Sequence, residues 1–396
     1  MLNVLLLCEG DAESWDAWSG ITKSILDHLR LAGHSVDVCD VDVRGADRWL
    51  AAASTIALNR HHWATRYHLA GTPFRLRSRR ALRHTAPRRG RIDAILQVGA
   101  TFEPRGHDGV PYFLCCDSNI RVAQHAAACG CTDATVLADS EVEAIARREM
   151  HVYQRAAGIF PLSERLRQSF IADFGIAADR VHAVYAGPNL EIARIPEPPR
   201  QRPSGRPPTV LFVARQFHRK GGDLLVESFR RIRQRLPSAR LIVAGLPQQS
   251  IDAAGVECLG LLDKNTAEGW ARLAEAYASA DVFALPTRFE PFGIAFVEAM
   301  HFGLPCVGPA AWAVPEIISD GQTGFTIPPD DVGALADRLL QLLVDPDLAQ
   351  RMGAAGRARA RAMFTWERVV ERMLAVMIPI AGARRRATPC SAFATA

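Results

Sequence analysis

The stretch Arg288-Phe-Glu-Pro-Phe-Gly-Ile-Ala-Phe-Val-Glu-Ala-Met300 holds two carboxylates, Glu290 and Glu298, on either side of a Pro-Phe-Gly turn. Gly293 lets the backbone approach a ligand closely, and the residues after it predict a short helix that stops at Gly303. The unpaired amides and the dipole of such a helix start both attract phosphate. We therefore expect the two carboxylates to flank a phosphorylated ligand, with Glu298 accepting hydrogen bonds from hydroxyls. The alternative is that the two acids only favour a helix start.

The composition indicates a globular protein of two domains. The chain has 396 residues, of which 48% are hydrophobic and 22% charged, and a chain of this length exceeds one core of ordinary size. The apolar run from Met1 to Cys8 is too short to span a bilayer and has no basic start, so it predicts a buried strand rather than a signal peptide. We expect a cytoplasmic protein with reduced cysteines and no metal site, because the nine cysteines lack a zinc-type spacing.

A basic segment lies between Asp47 and Asp93, where the chain has no acidic residue. Its arginines include Arg60, Arg66, Arg75, Arg77, Arg79, Arg80, Arg83, Arg88, Arg89 and Arg91, and its apolar residues include Trp63, Tyr67, Leu69, Phe74 and Leu76. Charge mixed with apolar anchors suits an anionic surface, so we expect an anionic partner there, such as a membrane surface. Nucleic acid is the less favoured alternative, because no recognisable binding module is present.

The first half of the chain begins with a strand, a helix and a second strand, a βαβ pattern that implies a parallel sheet. The loop from Gly10 to Gly20 follows the first strand, at the sheet edge where open α/β sheets bind ligands. It lacks the compact glycine spacing of a dinucleotide fingerprint. Asp117-Ser-Asn119 follows a later strand at the same edge, where it could orient a substrate or cap a helix. A strand from Arg180 to Tyr185 is expected to close this domain.

A proline-rich segment then separates two α/β alternations, which predicts two doubly wound domains whose strand ends face each other across a cleft. The predicted boundaries are residues 1–190 for the first domain, 191–208 for the linker, 209–365 for the second domain, 366–380 for a final helix and 381–396 for a mobile tail.

Arg215 and Lys220 lie on a glycine-ended loop that directly follows the first strand of the second domain. Arg supplies a planar fork and Lys a point charge, so the pair can converge on one anionic group. The Glu290 turn lies at the same predicted sheet edge. This coincidence favours a site over a solvated basic loop.

Motifs in both domains carry a family resemblance. In chain order they are Arg155 to Ser163, Phe174-Gly175, Arg180-Val181, Arg215 with Lys220-Gly221, Glu290-Pro-Phe-Gly-Ile294 to Glu298, Gly303-Leu-Pro305, Glu316-Ile-Ile318, Gly321 and Gly324. Together they resemble the retaining family 4 glycosyltransferases of GT-B fold, known as glycosyltransferase group 1. The resemblance implies two Rossmann-like domains, a nucleotide-sugar donor in the second, and a final helix that returns to the first.

The resemblance also implies roles for individual residues. Arg215 and Lys220 would bind the donor diphosphate, Glu290 would contact the transferred sugar, and Glu298 would bind the ribose hydroxyls. The amides of Gly293 and Ile294 would face the phosphates, and Gly245 and Leu262 complete the predicted donor-binding set. Gly10 and Gly20 would bound the acceptor-side loop, and Asp117 takes the place at which many members have a histidine.

The predicted activity is therefore transfer of a hexose from a nucleotide-diphosphate sugar to a glycan, lipid-linked or small-molecule acceptor, with retention and without a metal or other cofactor. Stabilisation of the leaving group by fixed positive charge would make a metal unnecessary. A nucleotide-sugar hydrolase or epimerase of the same fold is the alternative, as is a nucleic-acid-binding protein through residues 60–91. If the basic segment binds lipid, the protein is expected at the inner membrane face.

Overall fold

The computed structural model describes residues 1–88, 90–104, 109–197, 205–247 and 251–387. The chain divides into two compact units. Unit 1 contains Met1–Val184 and the chain from Glu367 onward, and unit 2 contains Tyr185–Trp366. Part of the predicted linker, residues 198–204, lies outside the described residues, as do Arg89 and residues 388–396 of the predicted tail.

Unit 1 is built on a parallel sheet of five strands in the order β2-β1-β3-β4-β5. The strands are β1 (Asn3–Cys8), β2 (Ser35–Asp40), β3 (Ala94–Val98), β4 (Tyr112–Cys116) and β5 (Gly158–Pro161). Its helices are α1 (Ile21–Leu31), α2 (Ala46–Ser54), α3 (Arg60–Leu69), α4 (Gly71–Thr85), α5 (Ile120–His125), α6 (Asp139–Arg155), α7 (Glu164–Ala172) and the last helix of the chain.

The central strands of this sheet are buried along their whole length. Every residue of β3 and of β4 is buried, as a parallel sheet requires when helices cover both faces. The carboxyl ends of β1, β3 and β4 therefore carry the loops that begin at Glu9, Gly99 and Asp117 at one edge.

Unit 2 has a parallel sheet of six strands in the order β11-β10-β9-β6-β7-β8. The strands are β6 (Thr209–Val213), β7 (Arg240–Ala244), β8 (Val256–Cys258), β9 (Val282–Ala284), β10 (Cys306–Pro309) and β11 (Gly324–Ile327). The helices are α8 (Gly222–Arg235), α9 (Ala267–Ser279), α10 (Ile294–His301), α11 (Val314–Ile317), α12 (Val332–Val344) and α13 (Pro346–Met363). Since β6 and β9 are neighbours, the loops after these two strands leave the sheet side by side.

Two of the predicted elements differ in the structure. The expected strand from Arg180 to Tyr185 is reduced to one bridge between Val181 and Ile159, because Arg180 ends a short 3₁₀ helix. The last helix, α14 (Trp366–Ala387), runs past the predicted end at residue 380 and contains Pro379. The tail prediction was therefore wrong for residues 381–387.

The basic segment folds into α3 and α4. Two of the apolar residues that were expected to anchor it on a surface lie in the core instead. Phe74 and Leu76 are buried in unit 1, where Leu76 packs with Val43, Ala51 and the partly buried Tyr67. Among the residues described, none of the helices combines the length and the apolar character needed to cross a membrane.

Candidate active site

Two loops meet at the carboxyl edge of the unit 2 sheet. The backbone N–H of Arg288 donates to the carbonyl of Arg219 over 2.9 Å, and the Thr287 hydroxyl donates to the same carbonyl over 3.2 Å. Gly221 allows this approach: its φ is 71°, and a Cβ at this position would lie 2.0 Å from the Pro286 carbonyl oxygen. The loop after β6 and the loop after β9 are therefore one packed unit.

This packing places Lys220 against Glu290. Their side chains form an ion pair and are only 15% and 7% exposed. Burial lowers the pKa of Lys220 from its ordinary value, and nearby Arg219 acts in the same direction, whereas the charge and hydrogen bond of Glu290 raise it. A pair of this kind holds a cation at a fixed place with little water around it, where its effect on another charge is strong.

Arg288 stabilises the packing of these two loops through ion pairs. Its guanidinium donates to both carboxylate oxygens of Asp223 over 2.7 Å, and it also pairs with Asp330 at 3.0 Å. Asp223 lies in the first turn of α8, directly after the Lys220 loop. The bidentate contact therefore ties the start of α8 to the loop that carries Glu290.

Glu298 lies in the second turn of α10 and is almost completely buried. One of its oxygens accepts from Lys264 Nζ over 2.7 Å, and the other accepts from the Tyr277 hydroxyl over 2.9 Å. Burial raises the pKa of Tyr277 well above its ordinary value, and the charge of Glu298 adds to this. Each carboxylate oxygen can accept more than one hydrogen bond, so a ligand hydroxyl can still bind here.

Gly293 precedes α10 as its N-cap, with φ 117°. A glycine cap has no side chain to occupy the first amides of the helix, among them that of Ile294. A Cβ at Gly293 would lie 2.9 Å from the Phe296 ring, so the close approach also requires glycine.

The remaining predicted residues of this half follow neighbouring strands. Arg215 is an exposed residue on the loop after β6, and its charge contributes to lowering the pKa of Asp263, after the hydrogen bonds from Asn265. Gly245, after β7, has φ 94° and packs under the loop, since a Cβ there would lie 2.6 Å from the Ala214 carbonyl oxygen. Leu262 is partly buried and lies two residues before Lys264.

The predicted residues of unit 1 lie at the carboxyl edge of its own sheet. The Gly10 amide donates to Asp40 Oδ1 over 2.9 Å, and Gly20 is the N-cap of α1 with φ 86°. Asp117 is partly exposed at the end of β4. Asn119 is a cap, because its side chain accepts from the Val122 amide over 2.8 Å.

Sequence patterns did not predict the partners that hold these groups. Lys264, Tyr277 and Asp223 belong to no motif of the sequence, and they become visible only through their contacts with Glu298 and Arg288. One weak signal exists: lysine occurs only at positions 23, 220 and 264 of a chain that has 47 Lys and Arg residues. Two of these three lysines lie at the edge of unit 2.

A second group was also missed, at the edge of unit 1. Arg77 is only 1% exposed and pairs with Glu9 at 2.7 Å, and the Thr101 hydroxyl donates to the same carboxylate. Trp18 adopts a left-handed backbone, with φ 49°. Its ring covers Gly99, where a Cβ would lie 2.3 Å from the indole.

The family model of the glycosyl transferases group 1 matches residues 194–359. A GDP-mannose-dependent alpha-(1-6)-phosphatidylinositol monomannoside mannosyltransferase of Mycobacterium tuberculosis is 32% identical over 231 residues, which are 54% of this chain and 59% of that protein. Mannosylfructose-phosphate synthase of Agrobacterium fabrum is 27% identical over 250 residues, 58% of this chain and 55% of that enzyme. The chain thus spans less than two thirds of the length of these relatives.

Solved structures share the fold over nearly the whole chain. Sucrose-phosphate synthase of Thermosynechococcus elongatus superposes with a TM-score of 0.68 at 18% identity and covers 97% of this chain and 100% of its own. A glycosyltransferase of Rickettsia africae gives a TM-score of 0.67 at 13% identity, with 96% and 98% covered. The second unit is therefore similar to the glycosyl transferases group 1 through residues 194–359, and the two Rossmann-like units have the fold of the GT-B glycosyltransferases.

Proposed function

We propose that this protein is a glycosyltransferase that moves a sugar from a nucleoside diphosphate to an acceptor hydroxyl. The observation that carries the proposal is the buried Lys220–Glu290 pair beside the start of α10, at an edge that also bears Arg215 and the fixed carboxylate of Glu298. A diphosphate needs cations and amides, and a ribose needs a hydroxyl acceptor. This edge supplies all of them.

In the proposed reaction the bond between the sugar C1 and the diphosphate oxygen breaks, and the nucleoside diphosphate leaves with the electron pair. A bond forms between C1 and the acceptor oxygen, whose proton passes to the departing phosphate. Negative charge therefore grows on the leaving group. Lys220 and Arg215 would stabilise that charge most strongly in the transition state, since they are positioned before reaction.

The other residues would hold the donor in place. Glu298 would accept hydrogen bonds from the ribose, and the amides of Gly293 and Ile294 would face the diphosphate. Gly245 and Leu262 would line the nucleotide, and Glu290 would contact the transferred sugar. Because Lys220 neutralises Glu290, the carboxylate can face a sugar without repelling the phosphates.

Retention of anomeric configuration and independence from metal ions are also part of the proposal. The first follows from the resemblance to retaining enzymes, and the second from the cations that already serve the leaving group. Nuclear magnetic resonance of the product would assign its anomeric configuration. Activity that disappears in excess chelator and returns with a divalent cation would contradict the second point.

Asp117 is proposed to contact the reacting sugar from unit 1, with the loop from Gly10 to Gly20 on the acceptor side. Its position at the end of β4 supports this role. Turnover that is unchanged by Asp117→Ala, measured with the true donor and acceptor, would remove Asp117 from the site.

The donor can be found by a thermal-shift screen of nucleotide sugars, since a ligand that binds only the folded form raises apparent stability. GDP-mannose is the first candidate, because the mycobacterial relative is named as dependent on it. Product analysis with and without acceptor extracts follows. Free sugar or an epimerised donor in both samples would indicate a hydrolase or epimerase instead.

Calorimetry of the identified donor with Lys220→Ala and Glu298→Ala tests the site directly. Each change removes a hydrogen bond to a charged group, worth about 1.5–3 kcal/mol, so we expect roughly 10-fold to 100-fold weaker binding. Lys220→Ala should also slow the chemical step. Lys23→Ala is the control, because Lys23 pairs with Asp27 on α1 in unit 1. Wild-type donor affinity in both site variants would contradict the proposed donor site.

The cytoplasm remains the proposed compartment. Cys8, Cys39, Cys115, Cys116 and Cys306 are buried free thiols, and Cys129 and Cys131 are only two positions apart and partly exposed. Free thiols of this kind persist in a reducing environment. Rapid formation of a disulfide between these two cysteines in the purified protein under cellular glutathione conditions would argue against it.

A further inference from the structure

A helical hairpin in unit 1 exposes large apolar side chains. We call residues 48–63 the α2–α3 tip: the end of α2, the connection and the start of α3. The exposed fractions are 79% for Trp49, 54% for Leu50, 71% for Ile56, 110% for Leu58 and 38% for Trp63. Single apolar residues on a surface are normal, but five large exposed ones within sixteen positions are unusual and suit an interaction site.

Hydrogen bonds hold the tip in this conformation. The Trp63 indole donates to the Ala52 carbonyl over 3.2 Å, and the Thr55 hydroxyl donates to the Ala51 carbonyl over 2.9 Å. Asn59 caps α3 by accepting from the His61 and His62 amides. These hydrogen bonds stabilise the connection between α2 and α3 in a conformation that leaves the apolar side chains exposed to solvent.

Exposed arginines occur within the tip and on a helix that packs against α2 and α3. Arg48 and Arg60 are exposed within the tip, and the neighbouring α4 exposes Arg75, Arg79 and Arg83 at helical spacing. Two further arginines of the segment do not contribute, because Arg66 pairs with Glu141 and Arg77 with Glu9. The sequence from Arg48 to Ile92 supplies no acidic residue, so the charge of this layer is not balanced from within.

We propose that the α2–α3 tip docks on the surface of an anionic phospholipid bilayer, with Trp49, Leu50, Ile56 and Leu58 entering the headgroup region and the arginines facing lipid phosphates. Tryptophan and aliphatic side chains flanked by arginine suit the interface between water and hydrocarbon. Each arginine near an anionic surface adds attraction.

Other occupants fit this surface less well. Nucleic acid would bind the arginines but would leave four large apolar side chains against water and phosphate. A second copy that paired through the same patch would bring its arginines against those of the first. Both alternatives are outcomes of the test below, which uses no sugar donor and therefore does not depend on the transferase activity.

Sedimentation of the full chain with vesicles tests the proposal. We expect binding to vesicles of phosphatidylcholine and phosphatidylglycerol in equal parts, weak binding to phosphatidylcholine alone, and weaker binding at high salt. The double variant Trp49→Ser, Leu58→Ser should reduce the partition coefficient by about tenfold or more, since each side chain loses apolar burial. Arg60→Ser should reduce it about fivefold.

Leu261→Ser and Val344→Ser are the matched controls, because these residues are 67% and 57% exposed in unit 2. Thermal unfolding shows whether each variant is folded. The proposal is overturned if the double variant sediments like the wild type, or if both vesicle types bind equally. It is also overturned if the tip variants abolish self-association in light scattering, or if RNA binding exceeds vesicle binding at matched salt.

Discussion

In the proposed donor site, Glu298 would bind a ribose in a defined geometry only while its carboxylate is held still. Lys264 and Tyr277 hold one oxygen each, and the Glu298 side chain is 3% exposed. We therefore propose that Lys264 is a positioning residue, which would act on the donor through Glu298. Its ammonium donates a charge-assisted hydrogen bond to this carboxylate, and such a bond is stronger than one between neutral groups.

We expect Lys264→Met to raise the KM for the donor about tenfold while kcat changes little, because ribose binding contributes equally before and in the transition state. Lys264→Arg should restore most of the affinity, since it returns the positive charge. Lys23→Met, in unit 1, is the control. A fall in kcat with an unchanged KM would show that Lys264 acts elsewhere.

Glu149 is a second residue for which a prediction can be made, because its protonation should affect the free energy of unfolding. It is buried in α6 and accepts from the Ile120 amide over 3.1 Å. Burial raises its pKa from 4.5 to about 7, although the Ile120 hydrogen bond lowers it in part. The folded state therefore holds this proton more tightly than the unfolded state, so the stability it contributes is complete below pH 4.5 and is lost as pH rises to about 7.

Glu149→Gln should remove this loss, which amounts to at most about 3 kcal/mol for a shift of this size. Denaturant unfolding from pH 4.5 to 8 measures it, and the variant should gain stability relative to wild type as pH rises. Glu143→Gln is the control on the same helix, because a hydrogen bond from Arg121 lowers the pKa of Glu143. Parallel curves for wild type and Glu149→Gln would contradict the expected linkage.

At the level of elements, the site depends on how closely the loop after β6 approaches the end of β9. Glycine can be required at a turn by a left-handed backbone conformation or by a close approach that leaves no room for a side chain. Gly221 and Gly321 distinguish these two reasons. Both have φ 71°, but a Cβ at Gly321 would have no atom within 4 Å, whereas one at Gly221 would overlap the Pro286 carbonyl.

Gly321→Ala should cost about 1 kcal/mol of unfolding free energy, from backbone conformation alone. Gly221→Ala should cost about 1–3 kcal/mol more, because the loop or Pro286 must move. It should also weaken donor binding, since Lys220 is the adjacent residue. Chemical denaturation and calorimetry measure both effects, and equal costs for the two variants would show that the approach of the loop is not limiting.

At the level of the whole molecule, the residues from Glu367 onward belong to unit 1. In the sequence, the whole of unit 2 separates them from Met1–Val184, the first part of unit 1. Val369, Met373 and Met377 are completely buried, and Arg372 donates to the Val184 carbonyl over 2.9 Å. Trp366 belongs to unit 2, where its indole donates to the Pro188 carbonyl over 2.9 Å.

A chain that ends after Trp366 should leave apolar surface of unit 1 in water. We expect increased binding of a hydrophobic dye and a lower unfolding temperature, because each large buried side chain contributes about 1.5–3 kcal/mol. Donor binding by unit 2 should persist in the material that stays monomeric. A chain that ends after Ala387 is the control. Wild-type stability of the shorter chain would show that α14 is dispensable for unit 1.

The two α/β alternations could be predicted from the amino-acid sequence, and the candidate donor-site residues were proposed from it. Strands that are buried on both faces appear as short apolar runs, and glycines at positive φ, such as Gly221 and Gly293, mark the turns between strand and helix. Each of these signals lies within a short stretch of sequence, so it can be recognised without knowledge of the tertiary structure. Phe74 and Leu76 show the limit, because an apolar residue in a basic segment can face the core or the solvent.

Which of these side chains are in contact depends on the tertiary structure. Lys220 and Glu290 are 70 positions apart, and Lys264 is 34 positions from Glu298; no helical or strand periodicity relates them. Their contacts follow from the order of β6, β7, β8 and β9 in the sheet, which is set by packing of the whole unit. The physical reason is that a parallel sheet gathers distant loops at one edge, so the motifs identify candidate residues and the strand order decides their partners.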